Sequence, residues 1–174
     1  MSVLRRLLSG AYRRGRIAEA RGYYRDAAAF YAASGAEADA ARALARAAER
    51  CDDLDEALAT YRDALRWTQA GEPLRRELLA NFGSRVLRRA RLLGASTESD
   101  RRLLAEAAAA LTEAERFVMA ADAWEILGDW DRTASCLERG GEIERLEALL
   151  AAQGAETDAR RAQAQALDSY RAAL

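Results

Sequence analysis

Few of the residue types that usually perform chemistry are present in this chain. Its 174 residues include no histidine, and all 27 basic residues are arginine. Histidine general bases, Ser–His–Asp triads and histidine-ligated metals are therefore excluded. Lysine Schiff bases and phosphate loops that need a lysine are excluded too. The two cysteines, Cys51 and Cys136, are too few for a four-thiolate zinc site. They read as small apolar residues rather than a disulfide pair. Carboxylates remain, with Cys51 or a serine as a nucleophile, but nothing in the sequence marks a cleft that would tune them. The expectation is a protein that is not an enzyme and needs no cofactor or metal.

Guanidinium chemistry is what the residues offer instead. Arg42, Arg46 and Arg50 stand at i, i+4 and i+8, on one side of a helix. Asn81, Arg85, Arg88 and Arg89 make a second row. A guanidinium is a planar fork that matches carboxylate or phosphate oxygens in pairs. As solvated faces, the same rows need no ligand. Nucleic acid is a weaker match: Arg75, Arg76, Arg85, Arg88, Arg89 and Arg91 lie close in sequence, but the isoelectric point of about 5.7 is acidic.

Any such row must be carried by helices. Alanine supplies 43 residues and proline one, Pro73. Alanine is the strongest helix former, with leucine, arginine and glutamate close behind. The chain reads as all-α. Apolar stripes and breaks at Gly22, Ser34-Gly35, Asp52-Asp53, Gly71-Pro73, Gly94–Ser99, Gly128-Asp129, Gly140-Gly141 and Gly154 predict about ten helices. The longest runs over 73–93; others are expected over 99–111, 112–127, 130–139, 142–153 and 156–173. A single domain spans 1–174: two helix pairs over 1–70, a long hairpin over 71–112, and a further pair with short helices over 113–174. Charge alternates in blocks along it: +6 over 1–25, −5 over 26–65, +5 over 66–102 and −7 over 103–174.

A repeat runs through these helices. Ala57, Tyr61, Ala64 and Leu65 recur as Ala166, Tyr170, Ala173 and Leu174, and more loosely as Ala27 and Tyr31. A small residue lets two helices approach, and an aromatic four residues on fills the gap beside it. Similar turns precede three of the small positions: Gly22-Tyr23-Tyr24 before Ala27, Asp52-Asp53-Leu54 before Ala57, Gly128-Asp129-Trp130 before Thr133. Upstream of them stand Gly15 and Ala18; Leu44, Ala45 and Ala48; and Phe117, Ala120, Ala121 and Trp124. This pattern resembles the tetratricopeptide repeat, a helix–turn–helix unit of about 34 residues. It departs from that family in its 30-residue step from Ala27 to Ala57, its long helix over 73–93 and its missing repeat-end prolines.

The resemblance implies an α-solenoid of antiparallel helices that binds a partner chain on its inner face. That face would hold Arg42, Arg46 and Arg50, with Ser9, Tyr12, Arg16 and Glu19 at the matching places of the first helix. With Asn81, Arg85, Arg88 and Arg89, it would form a basic, partly aromatic groove for an acidic segment or a C-terminal carboxylate. The expected function is a cytoplasmic protein–protein adaptor, in a chain whose alanine and arginine richness is that of a high-GC bacterial genome. Two alternatives stay open. The acids Glu115, Asp122, Glu125, Glu138, Glu142, Glu144 and Glu147 and the apolar helix ending at Leu174 would suit a self-assembling or docking subunit, as a homo-oligomer. The basic amphipathic segment Val3 to Arg16 would suit a membrane surface, or pack as the first helix.

Overall fold

The computed structural model describes residues 9–155 and residue 157. Among the described residues every regular element is helical: α1 (Gly10–Ala20), α2 (Tyr24–Ala33), α3 (Glu37–Glu49), α4 (Leu54–Leu65), α5 (Pro73–Leu93), α6 (Glu98–Glu113), α7 (Phe117–Leu127), α8 (Trp130–Gly140) and α9 over 143–155. Of the expected helix over 156–173 only residue 157 is described; Tyr170, Leu174 and the leucines of the N-terminal segment lie outside the described residues.

Local signals account for most boundaries. The Ser9 hydroxyl accepts from the Tyr12 amide at 3.0 Å and starts α1. Asp53 does the same for α4, from the Glu56 amide at 2.7 Å. Pro73 opens α5, where a missing N–H costs nothing. Thr97 and Asp100 close a reciprocal capping box at the start of α6.

Among the described residues one turn is used five times. The amides of Tyr23, Ala36, Arg116, Asp129 and Glu142 reach back to the carbonyls of Ala18, Tyr31, Leu111, Trp124 and Leu137, at 2.8 to 3.0 Å. Each such bond needs a left-handed residue just before the donor. Glycine fills that place at 22, 35, 128 and 141. At 115 it is a glutamate, with φ of 60°. This explains a shifted boundary: the break expected between 111 and 112 falls instead at 114–116, where no glycine marks it. The reverse occurs at Gly154, which sits inside α9. There the Thr157 hydroxyl bonds the Gln153 carbonyl at 2.9 Å, one helical turn back.

Each of α1 to α7 packs on the next, and α3 touches α5 as α5 touches α7. Ala27, Ala57 and Thr133 are each the fourth residue of their helix, and each is fully buried. The eighth residues, Tyr31, Tyr61 and Leu137, are buried beside them. Two cores result. One joins α1, α2 and α3 around Tyr31; the other runs from α3 through α8 around Leu58, Tyr61, Phe82 and Leu111. Helix α3 serves both, with Ala40 and Ala43 in the first and Ala41 and Ala48 in the second.

Glycine sets the closest approaches. A Cβ on Gly83 of α5 would stand 2.5 Å from the Leu111 side chain and 3.0 Å from the Ala107 carbonyl of α6. On Gly15 it would stand 2.8 Å from the Tyr31 ring. Alanine at 83 would gain about 1 kcal/mol in helix propensity. Forcing α5 from α6 would cost about 1–3 kcal/mol, because backbone as well as side chain must move. Gly83→Ala is therefore expected to lower the urea midpoint, and an unchanged or higher midpoint would contradict this packing.

Candidate functional site

The arginine rows open onto three clefts rather than one groove. The first, about 410 Å3, lies between α1 and α3 and takes in Tyr12, Arg16, Arg42 and Arg46. The second, about 310 Å3, sits at the turn between α1 and α2 and holds Arg50, whose guanidinium lies 5.0 Å from the Tyr24 ring centre. The third, about 620 Å3, lies between the end of α3 and α5 and gathers Asn81, Arg85, Arg88 and Arg89 around Tyr61. Helical geometry separates Arg50 from its row. At about 100° per residue, i+8 has turned about 80° past i.

The chain's own acids already occupy much of this basic lining. In the first cleft, Tyr31 donates its hydroxyl to Glu19 at 2.5 Å, and the other Glu19 oxygen accepts from Arg46. Tyr12 donates to Asp39 at 3.3 Å, and Arg42 pairs with the same carboxylate at 3.0 Å. In the third cleft, Asn81 donates to Glu49 at 3.3 Å and Arg89 pairs with Asp100 at 3.4 Å. Arg85 donates to the carbonyls of Ala48 and Cys51 at 2.7 and 2.8 Å. The Ala48 carbonyl lies in the last turn of α3 and the Cys51 carbonyl just beyond it, at the negative pole of the helix dipole. Arg85 is thus a side-chain cap. Arg16 and Arg88 differ: both are exposed, and neither has a carboxylate partner among the described residues.

The acids of the C-terminal third are partly paired as well. Asp122 accepts from Arg91 and from Arg145 at 2.8 Å, Glu125 from Arg145 at 3.2 Å, and Glu115 from Arg76 at 3.1 Å. Among the described residues five arginines, including Arg14, Arg62 and Arg139, lie over aromatic rings of an adjacent helix. No fixed spacing joins the two partners of such a stack, so spacing alone does not reveal them.

Reactive groups are muted. Burial and the neighbouring Glu56 push the Cys51 thiol up, away from the reactive thiolate. Both cysteines are free. Among the described residues no cluster of three or more cysteines, aspartates and glutamates could hold a metal ion, and no helix is long and apolar enough to cross a membrane. Compared with known proteins, the chain matches no family model, no curated protein and no solved structure.

Tyr31 and Tyr61 give these clefts a measurable signature. Burial first, and then the Glu19 carboxylate, hold the Tyr31 hydroxyl far above its ordinary value of 10.0. Burial and Glu49 raise Tyr61, against the opposing effect of Arg85. In the unfolded chain both tyrosines ionise near pH 10. Raised folded-state values mean that the stabilisation is complete below that pH and is lost as pH climbs above it. Urea midpoints measured from pH 8 to 11 are expected to stay level and then fall, and Tyr31→Phe should flatten the fall. An equally steep decline in that variant would remove Tyr31 as a cause.

Proposed function

We propose that this chain is a non-catalytic adaptor: a tetratricopeptide-like α-solenoid that holds a partner chain against the face of its odd-numbered helices. The observation that carries this reading is the shared register of α2, α4 and α8. Each follows a tight turn, buries a small residue at its fourth position and fills the adjoining space from its eighth. Units that repeat one packing solution can stack in series, and such stacks present long surfaces suited to extended ligands. The chain departs from the family in unit length. Its left-handed turn residues recur every thirteen positions, from Gly22 to Gly35 and from Glu115 through Gly128 to Gly141. Two such steps make a unit shorter than about 34 residues.

An acidic segment or a terminal carboxylate is the ligand that fits this face. Tyr12, Arg42, Arg46, Asn81, Arg85 and Arg89 are held in internal contacts and shape the clefts. Arg16 and Arg88 are the arginines of these two clefts that offer open forks. Arg50 faces the neighbouring turn. A cytoplasmic location belongs to the same reading. A second reading, a subunit that assembles through its C-terminal part, draws support from α9, which exposes Ile143 and Leu150.

The test is a pull-down from native lysate with wild type beside Arg16→Glu/Arg88→Glu. This pair breaks no ion pair among the described residues, so folding should survive, and circular dichroism checks it. Specific capture by wild type and its loss in the folded variant is the expected result. Equal capture by both proteins, or none by wild type, would overturn the reading.

A further inference from the structure

A separate groove lies between two even-numbered helices, away from the arginine rows. Helices α6 and α8 meet where the Thr112 hydroxyl lies 3.8 Å from the Cys136 sulfur, and α7 packs against both. The space between them, about 640 Å3, is floored by Trp124 of α7 and walled by Ala105 and Ala109 of α6 and Ser135 of α8. Its two cationic groups, Arg132 and Arg139, sit seven residues apart on α8. Both are held in place by aromatic rings, Arg132 at 4.5 Å from the Trp124 ring centre and Arg139 at 4.2 Å from that of Phe117. The acid that lines the groove, Glu113, is bound to Arg75 at 2.6 Å. Arg132 keeps a long pair with Asp129 at 3.5 Å, and Arg139 has no carboxylate partner among the described residues.

Trp124 is 6% exposed and forms the floor beneath the Arg132 guanidinium.

We propose that the α6–α8 groove docks a helix of a partner protein bearing two acidic residues seven positions apart. The spacing follows from geometry. Seven residues of helix cover about 10 Å, so acids at i and i+7 meet Arg132 and Arg139 together. Ala105 and Ala109, at i and i+4 on one face of α6, together with Ser135, keep the walls low enough for a helix to lie along the groove, over the Thr112–Cys136 contact. Because the rings hold the guanidiniums in place, little side-chain freedom remains to be lost on binding. This site goes beyond the adaptor face and uses none of its residues.

The probe is a displayed library of fourteen-residue helices with randomised surfaces, selected against the folded full chain. Enriched peptides are expected to carry acids seven residues apart. Their binding should weaken by about tenfold or more in Ala109→Arg, which fills the groove and leaves both stacks intact. It should weaken similarly in Arg132→Glu/Arg139→Glu, and remain unchanged in Arg16→Glu/Arg88→Glu, which separates this site from the other. In 15N-labelled protein the Trp124 indole resonance should shift on binding while those of Trp67 and Trp130 stay in place. Failure to enrich helices, enrichment without paired acids, or binding indifferent to Ala109→Arg would each overturn the proposal.

Discussion

Two helices can approach only as closely as the side chains between them allow, and in this protein those side chains are mostly alanine. Ala27, Ala41, Ala43, Ala57, Ala107 and Ala121 are wholly buried at helix contacts, and glycine takes over where even a methyl is too large, at 15 and 83. Small residues bring backbones together but remove little apolar area from water. The area must come from elsewhere. Tyr31, Tyr61, Leu58, Leu78 and Leu104, all fully buried, fill the spaces that the alanines leave beside themselves. The core is thus a close-packed frame of methyl groups with a few large plugs, so it is sensitive to added volume at the frame and to lost volume at the plugs.

Closely packed short helices leave shallow sides and many helix ends near solvent. Arginine serves both. Arg85 closes the end of α3, and Arg62 holds Glu106 with two bonds, of 2.7 and 3.0 Å, while lying over Phe82. Exposed ion pairs of this kind contribute little stability individually. Their long stems still cover apolar rings, and their flat heads fix the rotation of one helix against its neighbour. The consequence for binding is subtractive. A row of arginines that looks basic in sequence is mostly committed to its own fold.

How much could be read from the sequence followed from where each signal resides. Helices, their order and the buried register of Ala27, Tyr31, Ala57 and Tyr61 depend on local spacing, and local spacing is what a sequence displays. The turn at 115 was hidden because a glutamate fills the place that glycine usually takes. The clefts were half legible. That Arg42 and Arg46 share a side is local; that Glu19 and Asp39 come to meet them depends on how α1 lies on α3, which no single helix records. The α6–α8 groove went unread for the same reason. Trp124 and Cys136 look like core residues in the sequence, and both are buried, but the gap beside them exists only in the assembled molecule.

The thirteen-residue step between left-handed turns has a consequence for how such a chain can grow. Each step reverses the chain direction, and α7 and α8 are each eleven residues long, about three helical turns. Successive turns therefore leave their helices at nearly the same angle. Inserting one step would exchange the odd and even faces of everything downstream, and inserting two would restore them. Length in this architecture is counted in pairs, and parity decides which surface a later helix inherits.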